Sequence, residues 1–240
     1  MSRFVRVPHV FAGPGSSELP RETAHYLTHV HRARVGEEFV VFDVEAGLEA
    51  SARVVGLERG RVHCELSEPR PVSPSPLRVG ILQATAKGDR VEQVVRAATA
   101  LGARWVKTVI CERSVARPAE LRLGRLQAIA LDAARQSGRG DVPLLSGPTP
   151  LAQALEEPWS GLSFCAALGS EATLAHHVQA WDLESDVRIL IGPEGGLSEA
   201  ELAGAERAGF VRVSLGPFTL RTELAATAAL ANFAARLGCV

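Results

Sequence analysis

Two short segments late in the chain have the make-up of backbone cradles. Gly192-Pro193-Glu194-Gly195-Gly196-Leu197 follows the apolar run Val187–Ile191, and Gly216-Pro217-Phe218-Thr219-Leu220-Arg221 follows Val211–Leu215. Glycine lets a backbone approach a ligand closely and take positive φ. Proline stiffens such a loop, so its N–H and C=O groups stay aimed. One Gly-Pro loop reads as a tight turn; two echoing loops this close together read as a binding site. Neither fits a conventional phosphate cradle, since the chain has no G-x-G-x-x-G after its first strand and no G-x-x-x-x-G-K-[ST]. Charged residues flank the loops: Arg221 stays protonated and can stabilise an anion. Glu223 can orient Arg221, accept a proton or cap its helix, and Glu194 is the acid of the other loop.

Strand–helix alternation supplies the elements that must hold these loops. Candidate strands and helices run Leu77–Ala84 then Arg90–Leu101, Trp105–Ile110 then 119–136, and Gly161–Leu168 then Thr173–Trp181. Val187–Ile191 then Glu199–Ala208, and Val211–Leu215 then Thr222–Leu237, complete the series. Such alternation predicts a parallel sheet with helices on both faces, and ligands bind such sheets at the carboxyl ends of the strands. Ser198 opens its helix with Glu201 three residues on, a capping box, and Thr222 is expected to cap the last, alanine-rich helix.

The first part of the chain has another texture. Short strands are expected at 4–7, Phe39–Asp43, Leu48–Val55 and Arg61–Leu66, with a helix at Arg21–Val30, giving a small barrel-like β domain. Four prolines between Pro69 and Pro76 can continue neither a helix nor a central strand, so the boundary is placed there, separating residues 1–72 from 73–240.

The chain has 240 residues, 46% hydrophobic and 22% charged, which excludes disordered, collagen-like and coiled-coil classes. A formal net charge of −1 hides a basic middle: residues 73–150 carry twelve Lys and Arg against six Asp and Glu, almost all arginine. That suits phosphate recognition by Arg113, Arg117, Arg135 and Arg139, although compositional bias toward arginine reads the same way. Cys64, Cys111, Cys165 and Cys239 are far apart with no C-x-x-C, which argues against a disulfide framework and for the cytoplasm. No apolar run reaches the ~18–20 residues of a membrane helix, and no signal peptide is expected. His25, His29 and His31 lack a further ligand nearby, so no metal is expected. There is no G-x-S-x-G hydrolase elbow.

Leu190-Ile191-Gly192-Pro193-Glu194-Gly195-Gly196-Leu197-Ser198, followed by Leu215-Gly216-Pro217-x-x-Leu220-Arg221-Thr222-Glu223, resembles the signature of the RsmE family. These are bacterial 16S ribosomal RNA (uridine-N3) methyltransferases of the knotted SPOUT superfamily. Ala86–Glu92 with Ala100–Ala103, Cys111–Ser114 and Gln136–Arg139 are similar to further family segments. At the front, His25-Tyr26-Leu27 with Val30, Arg32 and Gly36 resembles the family's PUA-like RNA-binding domain. Leu224 stands where the family usually has threonine, and Arg135 where it often has an acid.

The resemblance implies a PUA-like β-barrel over 1–72 and a SPOUT methyltransferase domain with a C-terminal trefoil knot over 73–240. It implies that both Gly-Pro loops, with Ala167–Glu171, wrap a bent S-adenosylmethionine held by Leu168, Gly169, Ile191, Gly192, Gly196, Leu215, Gly216 and Leu220. Backbone groups there can read the adenine edge, and the apolar side chains can sandwich its ring. Arg221, Glu223 and Glu194 are then the candidate catalytic residues. His25 and Arg32, with the four arginines named above, are candidates for RNA contact. The implied partners are 16S rRNA or the assembled small subunit and, through the last helix, a second copy of the chain, though that helix reads equally well as core. Two rival readings are a SPOUT-type ribose 2′-O-methyltransferase, whose usual Ser-Leu-Asn loop is absent here, and a non-catalytic RNA-binding assembly factor.

Overall fold

The computed structural model describes residues 5–58, 60–115 and 122–239. Of the sequence candidates, Arg117 lies outside the described residues, as do the starts of the strand expected at 4–7 and the helix expected at 119–136. Two compact units are present: Met1–Pro74 with Ala134–Val142, and Ser75–Ala133 with Pro143–Val240.

In the first unit, β1 (Arg6–Pro8), β2 (Gly15–Glu18), β3 (Glu38–Asp43), β4 (Leu48–Glu58) and β5 (Arg61–Leu66) form a sheet ordered β1-β3-β4-β5-β2. The short β6 (Arg70–Pro71) pairs with β4. β1 runs parallel to β3, and the other pairings are antiparallel. Along β4 the side chains of Ala50, Ala52 and Val54 point inward while Ser51, Arg53 and Val55 face out, the two-residue period of a half-buried strand. The inward set joins Val7, Leu27, Phe39 and Val62 in one core. β2 reads Gly-Ser-Ser-Glu and carries no apolar residue, so no hydrophobic pattern announces it; backbone pairing with β5 alone makes it a strand. The helix expected over Arg21–Val30 is α1 (Arg21–His25) continuing into a π-helical turn over Tyr26–Val30.

The second unit is a six-stranded parallel sheet ordered β12-β10-β11-β7-β8-β9. Its strands are β7 (Val79–Ala84), β8 (Trp105–Ile110), β9 (Leu144–Pro150), β10 (Leu162–Ala166), β11 (Val187–Ile191) and β12 (Val211–Val213). Between them run α2 (Arg90–Leu101), α3 (Leu123–Ser137, whose residues from Ala134 on are counted with the first unit), α4 (Leu151–Glu156), α5 (Leu174–Gln179) and α6 (Glu199–Arg207), with α7 (Thr222–Arg236) after the last. β7 and β11 are buried along their whole length, as expected of central parallel strands covered on both faces. Alternation sends Leu82, Ala84 and Leu190 into a core with Leu151 of α4 and Leu202 of α6. It sends Gln83 the other way, toward α7. β9 and α4 were not expected from the sequence, because Gly147, Pro148 and Pro150 break the apolar pattern; at the sheet edge a strand tolerates proline.

Candidate active site

β10, β11 and β12 lie side by side and parallel, so their carboxyl ends open onto one edge of the sheet. Each leads into a loop there: 167–173 after β10, 192–198 after β11 and 214–221 after β12. Together these loops enclose a cavity of about 490 Å³, within the range of small-ligand sites. Seven of the eight cofactor candidates line it: Leu168, Ile191, Gly192, Gly196, Leu215, Gly216 and Leu220. Gly169 follows Leu168 in its loop at positive φ but is not on the wall.

Local chemistry explains the loop shapes. Gly196 sits at φ +71°, a conformation that side-chain-bearing residues rarely adopt, and a Cβ there would enter open space. At Gly192 a Cβ would lie 3.1 Å from Leu197 Cγ, so a side chain there would press on the loop's own Leu197. The expected capping box forms: Ser198 Oγ accepts from the Glu201 amide and Glu201 Oε2 from the Ser198 amide. Glu201 Oε1 also accepts from the Glu112 amide at 2.7 Å, tying the exit of the first loop to the segment after β8. In the second loop Ser214 Oγ accepts from the Gly216 amide at 3.2 Å.

Thr222 does not cap α7. Arg221 occupies the cap position without a side-chain hydrogen bond, and Thr222 is already the first helical residue. Its hydroxyl donates to the Gly192 carbonyl at 2.7 Å and accepts from Gln83 Nε2 at 2.8 Å. A helical first residue needs no cap of its own, so its hydroxyl is free to join the two Gly-Pro loops to β7.

The charged candidates separate. Glu194 and the exposed Arg221 line the cavity, and Glu223, buried in the first turn of α7, does not. Arg221 forms no ion pair or side-chain hydrogen bond among the described residues. Glu223 faces Arg90 of α2, with Oε2 3.6 Å from Nε, so the alignment of Arg221 by Glu223 allowed by the sequence is not what the structure holds. Arg113 also lines the cavity, and its Nη1 donates to the Gly195 carbonyl at 3.1 Å, bracing the first loop. Its place beside Cys111 gave no hint of this, since the partner is 82 residues away.

The remaining RNA candidates belong to the first unit. His25 stacks on His29 at 4.2 Å between ring centroids. Arg32 is exposed at a left-handed φ of 57°. Arg135 lies over the Tyr26 ring, 3.9 Å from its centroid, and Arg139 forms a bidentate pair with Asp141 at 2.9 Å. Among the described residues no group of three or more His, Cys, Asp or Glu converges as a metal site, and no helix is long and apolar enough to cross a membrane.

Residues 73–234 match the RNA methyltransferase domain family, and residues 19–67 match the RNA methyltransferase PUA domain. The chain is 32% identical to the ribosomal RNA small subunit methyltransferase E of Synechocystis sp., over 89% of this chain and 71% of that protein. Its structure is similar to that of the Neisseria gonorrhoeae ribosomal RNA small subunit methyltransferase E bound to S-adenosyl methionine. That match has a TM-score of 0.80 and 30% identity, covering 95% of each chain. A methyltransferase from Legionella pneumophila, solved with bound SAM, matches with a TM-score of 0.82 at 28% identity, over 97% of this chain and 98% of that one. With an RNA methyltransferase domain behind a PUA domain, and relatives alike along most of its length, this chain belongs to the ribosomal RNA small subunit methyltransferase E family.

Proposed function

We propose that this protein methylates N3 of a uridine in 16S rRNA of the small ribosomal subunit, using S-adenosylmethionine, in the cytoplasm. The observation that carries this reading is the convergence of three loops on one cavity at the carboxyl edge of the sheet, with Glu194 and Arg221 on its wall. The residues present fit the cofactor. Leu168, Ile191, Leu215 and Leu220 offer an apolar slot for a purine, and the glycine backbone at Gly192 and Gly196 lets its edge approach closely. Arg113, Glu194 and Arg221 offer both signs of charge for a zwitterionic amino-acid tail. When bound, S-adenosylmethionine supplies an electrophilic methyl group on sulfonium; binding, orientation and electrostatics fall to the protein.

Uracil N3 carries a proton at neutral pH, so its lone pair is a poor nucleophile until that proton leaves. Arg221 remains cationic and offsets the negative charge that develops on the ring. Glu194, on the same wall and in the first Gly-Pro loop, is a carboxylate that can take the proton.

The inward face of α7, with Leu230 and Phe233, is core. Leu224, Ala228 and Ala231 leave a less buried stripe along the same helix, which supports a homodimer joined through α7. The trefoil threading of the last strands belongs to the same family reading. His25, Arg32, Arg113, Arg117, Arg135 and Arg139 remain the proposed RNA contacts.

Mass spectrometry of 16S rRNA nucleosides from cells with and without the protein tests the function. The expected result is 3-methyluridine that disappears with the gene; loss of a ribose-methylated nucleoside instead, or of none, overturns the proposal.

A further inference from the structure

Arg90, the first residue of α2, stands between the two acids that the sequence could not tell apart. Its Nη1 donates to Glu194 Oε1 at 2.5 Å and to the Lys87 carbonyl at 3.3 Å. Its Nε lies 3.6 Å from Glu223 Oε2. The two carboxylates differ in kind. Glu194 belongs to the first Gly-Pro loop and to the cavity wall. Glu223 is 9% exposed, is rooted in the first turn of α7, and keeps Oε2 buried without a hydrogen bond among the described residues. The other charges of α2 are engaged elsewhere, Glu92 with Arg125 and Arg96 with Asp132.

We infer that Arg90 is a positioning residue that couples Glu223, outside the cavity, to Glu194 on its wall, and so sets the first Gly-Pro loop for the ligand. The planar guanidinium suits this place because its nitrogens can engage two carboxylates from one fixed fork. One cation shared between two anions makes each pair depend on the other. Without Glu223 the guanidinium is fixed from one side only, and Glu194 loses its register. Without Arg90 two carboxylates face each other, one of them largely buried, and the loop moves to relieve them. Glu223 therefore influences a ligand that it does not touch, and it does so through Arg90.

This inference rests on the cavity being the S-adenosylmethionine site, and a double-mutant cycle read by calorimetry with S-adenosylhomocysteine keeps the two apart. If the wild-type protein fails to bind S-adenosylhomocysteine, the cavity assignment fails and this inference with it. If it binds, Glu223→Gln is expected to weaken affinity about tenfold, equivalent to about 1.4 kcal/mol, while the same change in an Arg90→Met background adds nothing. An unchanged affinity in Glu223→Gln, or equal losses in both backgrounds, overturns the coupling while leaving the cavity assignment intact. Thermal melts establish that each variant is folded. If Arg90→Met does not fold, the Glu194→Gln and Glu223→Gln cycle carries the same test: losses smaller together than their combined singles support the coupling, and additive losses overturn it. A residue that only stabilises the fold lowers the melting temperature without producing this non-additivity.

Discussion

The hydroxyl of Thr222 donates to the carbonyl of Gly192, 2.7 Å away and 30 residues earlier. Through it the start of α7 is fixed to the first Gly-Pro loop, and through Gln83, which donates to the same oxygen, both are fixed to β7. Thr222 is buried, so no water replaces a lost partner easily.

Replacing Thr222 by valine keeps the shape, takes the hydroxyl donor from the Gly192 carbonyl and leaves Gln83 Nε2 with the Ala84 carbonyl as its remaining partner. The expected loss is roughly 1–3 kcal/mol of stability, the cost of leaving a buried polar group unpaired, with weaker S-adenosylhomocysteine binding. Thr222→Ser should retain most of both. Chemical denaturation and calorimetry of the two variants check this, and a Thr222→Val protein as stable as the wild type contradicts it.

Gly196→Val should abolish S-adenosylhomocysteine binding while the protein still folds. The position lines the cavity at φ +71°, so a branched side chain strains the loop that forms the cavity wall. Calorimetry paired with circular dichroism decides; undiminished binding in a folded variant removes Gly196 from the site.

Arg221→Ala should lose about a hundredfold in single-turnover rate at neutral pH, the scale of one charge-stabilising donor. Part of that loss should return at alkaline pH, where uracil ionises unaided. Rates measured across pH 6–10 separate the cases: an equal loss at every pH means that Arg221 holds substrate or cofactor in place and does not stabilise the anion.

Arg32 is exposed in the first unit, and if it meets RNA phosphate its removal should reduce the salt dependence of binding by about one counterion. S-adenosylhomocysteine affinity should not change in Arg32→Ala. A salt slope identical to that of the wild type makes Arg32 ordinary surface.

Burial pushes the thiol of Cys64 up to about 11 and those of Cys111 and Cys165 up to about 12. An unfolded chain ionises these thiols at lower pH than the folded one, so it binds fewer protons across that window. Stability should therefore hold below pH ~8.5 and fall as pH rises from there toward 12. Cys239 is exposed. A thiol reagent at pH 8 should thus modify Cys239 rapidly in the native protein and the other three only after denaturation; fast reaction of Cys111 or Cys165 contradicts this.

Residues whose conformational preference is local made part of this protein legible before any tertiary contact. Glycine and proline at 192–196 and 216–217 shape a loop whatever surrounds them, Ser198 with Glu201 starts a helix within four residues, and the apolar runs of β7 and β11 announce central strands. The cavity wall was legible for the same reason, because six of its residues come from 192–197 and seven from 214–221. The tertiary structure decided what depends on distant partners. β9 exists despite its prolines because it lies at the sheet edge, and β2 because β5 pairs with it. The cap expected at Thr222 became a cross-link because β7 presents Gln83 to it from 139 residues away. Only folding brought Arg90 to Glu194, 104 residues along the chain, and so divided two acids of like chemistry into one on the cavity wall and one behind it. Charges at that separation meet through sheet order and helix packing, which no local pattern encodes.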